Sequence, residues 1–226
     1  MLLNKERAID LMEHYKIDAL IATSSENITY SSNFPLLHGC MSDTGMYVVL
    51  PREQKISPVM IVSKNAVDLF LACDSWIEDV ELWGRFFIFR SEELDVQSLS
   101  ALEKKYDRII KEVEPEASDL DALHKVLQER GLLDGRLGID EKNLTPVHFE
   151  TIKSRFPNAK IVPGNHIFRK IRMVKSENEI QRLKKATRVN ELALQALLDA
   201  LQEGKTEIEL GEIYEEALRR EGGKPV

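Results

Sequence analysis

The chain has 226 residues, 43% of them hydrophobic and 31% charged, which argues for a folded protein rather than a disordered one. Lys plus Arg number 31 and Asp plus Glu 38, a formal net charge of −7, which argues against a global nucleic-acid footprint because phosphate binding needs a basic surface. Two cysteines far apart, Cys40 and Cys73, make neither a disulfide framework nor a CxxC zinc knuckle, and no apolar run approaches the roughly 20 residues that cross a bilayer.

In chain order, residues 5–15 read as a helix with Ala8, Ile9, Leu11, Met12 and Tyr15 on its buried side. Asp18 to Thr23 reads as a buried strand, and the polar stretch Ser24 to Ser32 as a loop with a short strand or turn. Gly45–Leu50 and Val59–Ser63 are strands, joined through Pro51-Arg52-Glu53-Gln54 as a hairpin with Pro51 ending the first. Residues 65–72 look helical and 77–82 extended. Ser100 and Glu103 fit a capping box before a short helix, and Asp107–Lys111 reads as a short strand. Asp119–Arg130 is a helix stopped by Gly131, and Leu137–Asp140 a strand. Thr145-Pro146 opens a helix that Pro157 forbids from continuing past Phe156, and Ala159–Val162 is a last strand. Strands alternating with helices predict an α/β domain over residues 1–163, its sheet covered on both faces.

Beyond Pro163-Gly164 the character changes. Residues 176–202 read as one long helix, opened by a Ser176/Glu179 capping box and stopped by Gly204. Thr206 and Glu209 open a second helix, which ends before Gly222-Gly223. The long helix carries an apolar stripe of Ile180, Leu183, Leu194, Leu197, Leu198 and Leu201, with Thr187 and Asn190 on the same line. Such a stripe predicts packing against something else.

The residues alone supply no complete catalytic constellation. There is no P-loop, no GxSxG elbow, no HExxH and no HxH. His14, His38, His124, His148 and His166 stand singly, as expected for surface or core histidines rather than metal ligands. The acidic residues Glu112, Glu114, Glu116, Asp119 and Asp121 read as a solvated loop. Arg169, Lys170, Arg172, Lys175, Arg182, Lys184, Lys185 and Arg188 form a basic stretch, read as a solvated face and domain junction, since base-stacking aromatics are missing apart from Phe168.

Residues 168–180 resemble the entry to the catalytic domain of the pita-bread metallopeptidases: the Xaa-Pro dipeptidases (prolidases), the Xaa-Pro aminopeptidases and creatinase. The resemblance lies in Arg172-Met173-Val174-Lys175-Ser176 followed by Glu179-Ile180, with Gly204-Lys205-Thr206-Glu207 matching the next helix start. Glu26-Asn27-Ile28-Thr29-Tyr30-Ser31-Ser32-Asn33-Phe34 resembles a segment of the N-terminal domain of these enzymes, with Asn33 where glycine is common. Asp18-Ala19-Leu20-Ile21 and Gly138-Ile139-Asp140 resemble strands of the same domain.

The resemblance implies a mixed sheet of the creatinase/prolidase N-terminal type over residues 1–163. Residues 164–226 would then begin a pita-bread α+β domain, ending before its metal ligands. It implies the N-terminal part of a peptidase that uses two divalent ions (Mn, Co or Zn) to cleave the bond before proline in peptides. No catalytic or metal-ligating residue maps to this chain. The N-terminal domain would shape the substrate entrance, with Leu37 and His38 facing it, and would help hold a homodimer. The loop from Pro35 to Ser42 lacks the aromatic and arginine of creatinase proper. A cytoplasmic location is expected, since Met1–Arg7 has no signal-peptide core. The alternative is a stand-alone, non-catalytic interaction or dimerisation module derived from the same family.

Overall fold

The computed structural model describes residues 1–35, 45–86 and 96–224. Its chain order is α1 (Lys5–His14), β1 (Ala19–Ala22), α2 (Ser25–Ser32), β2 (Tyr47–Pro51), β3 (Val59–Ser63), α3 (Val67–Leu71) and β4 (Asp79–Trp83). There follow α4 (Ala101–Glu112), α5 (Asp119–Glu129), β5 (Arg136–Ile139), α6 (Pro146–Arg155), β6 (Lys160–Pro163), α7 (Asn165–Met173), α8 (Glu177–Asp199) and α9 (Glu207–Arg220). The chain divides into two compact units, Met1–Val174 and Lys175–Val226.

In the first unit the six strands form one mixed sheet in the order β4-β3-β2-β1-β5-β6. Strand β2 is antiparallel to both neighbours, and the other pairings are parallel. Alternate residues serve opposite faces. Leu20, Ala22, Val48, Leu50, Met60, Val62 and Leu82 point into one core with α1, α2, α3 and α7. Ala19, Ile21, Tyr47, Val49, Val59, Ile61, Leu137 and Ile139 point into a second core with α5 and α6. Burial on both sides explains why the central strands are continuous apolar runs rather than alternating ones.

Two local readings change, and α7 adds an element between the expected last strand and the long helix. Residues 25–32 are helical, not loop or strand: Ser24 caps α2 by accepting from the backbone N–H of Asn27, and Asn33 ends it with φ 67°. Residues 107–111 are not a strand but the second half of α4. Tyr106, Ile110 and Val113 pack on the first core and Ile109 is buried in it, a spacing of three and four that only a helix brings to one side. Residues 165–173 form α7, whose Ile167, Phe168 and Ile171 are buried in the first core. The first compact unit therefore runs to Val174 and does not close at Pro163-Gly164.

The second unit is a helical hairpin, α8 packed on α9. Both helices open with the expected capping boxes, Ser176/Glu179 and Thr206/Glu209. The Tyr214 hydroxyl bonds the Asn190 side-chain oxygen across the pair. Leu183, Leu194, Leu198 and Leu201 of the expected stripe are exposed.

Candidate functional site

Open α/β sheets commonly bind ligands beyond the carboxyl ends of adjacent strands whose connections leave to opposite faces. Here that point lies between β1 and β5. The chain leaves β1 into α2 on the first face and leaves β5 into α6 on the second. Thr23, Ser24, Asp140 and Glu141 stand at this edge.

The crevice is occupied by the chain's own carboxylates. Asp140 is fully buried, and its Oδ2 accepts from the Ser24 backbone N–H (3.0 Å), the Ser24 hydroxyl (2.5 Å) and the Asn27 amide (2.7 Å). It thus sits where an external anion would sit at the N-terminus of α2. Thr23 Oγ1 donates to the Asp140 carbonyl, closing the strand ends on each other. The next residue serves α7: Glu141 Oε2 accepts from the backbone N–H groups of Gly164 and Asn165 at 3.0 Å each. Gly164 must be small here, because a Cβ would come within 2.7 Å of the Gly138 carbonyl carbon. Lys142 pairs with Glu26 at the rim. The Asn27 Oδ1 and Ser31 Oγ atoms are buried without a partner in this polar layer. This arrangement holds two helices against two strands and presents neither a nucleophile nor a free base.

A second charged cluster joins β4 to α5. Lys125 Nζ lies 3.0 Å from Glu81 Oε1 and 3.6 Å from Glu116 Oε1. Burial raises the pKa of Glu81 above the ordinary glutamate range, against the lowering pull of Lys125. At Lys125 burial acts to lower the pKa, but the hydrogen bond and charge of Glu81 outweigh it and the net shift is upward. The two ends differ because Glu81 lies deeper, so desolvation dominates there and pairing dominates at the lysine. Tyr47 donates to Asp119 Oδ2 (2.6 Å), and burial, with the adjacent Asp119 charge, raises its pKa. At the opposite end of the sheet burial opposes ionisation of Asp18, yet the Arg136 backbone N–H and Arg52 hold its pKa below the usual value.

Leu37 and His38, the expected entrance residues, and Cys40 lie outside the described residues. The other histidines are separated: His14 and His166 both meet Tyr15 edge-on, His124 stacks on Phe156, and the His148 backbone N–H is capped by Thr145. Cys73 is half-buried, and burial pushes its thiol pKa up. The acidic stretch disperses, with Glu116 bridging to Trp83, Asp119 bound to Tyr47 and Asp121 to Arg155. The basic stretch is split between α7 and α8, and Lys170 is engaged by the Tyr15 ring and hydroxyl. Among the described residues no group of three or more His, Cys, Asp or Glu side chains could hold a metal ion. The described residues thus do not fit a metal centre.

The sequence reading missed the Asp140–Ser24–Asn27 network. Its only sequence signal was the Ser24 cap and an aspartate at the end of an apolar strand.

This mixed sheet with a core on each face is the fold of a known family of N-terminal domains. Residues 5–174 match the Creatinase/Prolidase N-terminal domain, and the chain belongs to that family. Among curated relatives, creatinase from Bacillus sp. (strain B-0618) is 32% identical over 100 residues, covering 44% of this chain and 24% of that protein. A putative dipeptidase, YkvY, from Bacillus subtilis is 25% identical over 100 residues, covering 44% of this chain and 28% of that one. Among solved structures, the Xaa-Pro dipeptidase from Bacillus anthracis aligns with a TM-score of 0.64 at 18% identity, covering 96% of this chain and 48% of its own. The X-Pro aminopeptidase from Thermotoga maritima aligns at 0.62 and 19% identity, covering 97% and 49%. At such identities the structural likeness concerns the fold. The chain spans about half the length of these solved structures, and the matched stretch about a quarter of each curated relative.

Proposed function

We propose that this chain is the N-terminal part of a two-metal-dependent Xaa-Pro peptidase, a prolidase or Xaa-Pro aminopeptidase that cleaves the bond before proline in peptides. The observation that carries this reading is the family match over residues 5–174, continued by α8 and α9 in an alignment that spans 96% of this chain and about half of an Xaa-Pro dipeptidase. On this reading residues 175–226 begin the catalytic domain. The two divalent ions (Mn, Co or Zn) would find their ligands outside the described residues, and residues 1–226 by themselves would not hydrolyse peptides. The N-terminal domain would narrow the mouth of the active site, with Leu37 and His38 at the entrance, and would contribute to a homodimer in the cytoplasm.

The test begins with the coding sequence past codon 226. An in-frame continuation supplying two Asp, one His and two Glu would be expressed whole and assayed with Xaa-Pro dipeptides, longer Xaa-Pro peptides and creatine, with and without added divalent ions. Metal-dependent release of proline, absent from the 226-residue chain assayed in parallel, is the expected result. A stop at that codon, or turnover of creatine alone, overturns the proposal. In the whole enzyme His38→Ala should change the preference between long and short peptides; unchanged kinetics on both would remove His38 from the entrance.

A further inference from the structure

We draw no further inference here: the strongest candidate, the exposed leucine stripe of Leu183, Leu194 and Leu198 along α8, is an unpartnered helix face, and nothing in the structure shows what covers it.

Discussion

The two compact units are built by different means. Residues 1–174 bury a six-stranded sheet between two cores, so most central strand positions are inaccessible to water. In residues 175–226 Ala193 is the one buried hydrophobic residue among those described, although both helices carry complete capping boxes. Caps satisfy the first N–H groups of a helix and fix where it begins. They contribute about 1 kcal/mol each, far less than a buried aromatic side chain. Regular helices and a stable domain are therefore separate achievements, and the leucines of α8 belong to the first without supplying the second.

The contrast is most directly challenged at Phe168, which is fully buried in the first core. Phe168→Ala should cost about 4 kcal/mol, seen as a lowered midpoint in urea unfolding followed by circular dichroism. A loss no larger than that of a surface change would mean that α7 does not belong to the first unit.

Asp140→Ala comes next. It leaves Ser24 and Asn27 donors buried without their acceptor and should cost about 3 kcal/mol in the same measurement. Asp140→Asn keeps one acceptor oxygen and should cost less. Equal losses for the two would argue that shape, rather than hydrogen bonding, holds α2 in place.

Smaller and pH-dependent is the effect of Glu81. Its folded pKa is raised by burial, so between the ordinary glutamate value of about 4.3 and the folded value the native state binds the extra proton. The Glu81 contribution is therefore present below that window and is lost as pH rises through it. Denaturation of wild type and Glu81→Gln from about pH 4 to about pH 7 should show wild type losing ground to the variant as pH rises. A gap that widens in favour of wild type would mean that Lys125 outweighs burial. Asp18 acts in the opposite sense: its depressed pKa supplies stability that is lost on acidification below the ordinary aspartate value, about 3.9.

The second unit should respond least. Ser176→Ala should lower helical content with a cost of about 1 kcal/mol to α8 while leaving the unfolding of residues 1–174 in place. Leu198→Ala, at a position 50% exposed, should stay within about 0.5 kcal/mol of wild type. A multi-kcal/mol loss there would show that the leucine stripe is covered in solution.

Much of this fold was legible because its signals are local. Ser100/Glu103, Ser176/Glu179 and Thr206/Glu209 place each capping pair within one turn of chain, and all three boxes form. Gly131 holds positive φ (65°) just past the helix it was expected to stop, whereas α8 already ends at Asp199 with Ala200 as its C-cap and Gly204 (φ 92°) lies in the turn before α9. The apolar runs at Ala19–Ala22, Val48–Leu50 and Val59–Val62 mark strands buried on both faces. The departures have other causes. Helix α7 has no side-chain cap of its own; Glu141, more than twenty positions earlier in sequence, accepts its first N–H groups. Helix α2 is short and polar, yet Asp140 and the first core hold it. At 107–111 a short β-like composition was overridden by helical spacing extending to Tyr106 and Val113.

By itself, then, the sequence determined the alternation of strands and helices, the starts of α4, α8 and α9, and the resemblance that names the family. Those depend on residues near one another along the chain. The tertiary structure decided that β2 also runs antiparallel beside β1, and that α7 belongs to the first core. It also decided that consecutive carboxylates, Asp140 and Glu141, fill the sheet-edge crevice. Buried donors take the nearest acceptor in space, which no local spacing in the chain reveals.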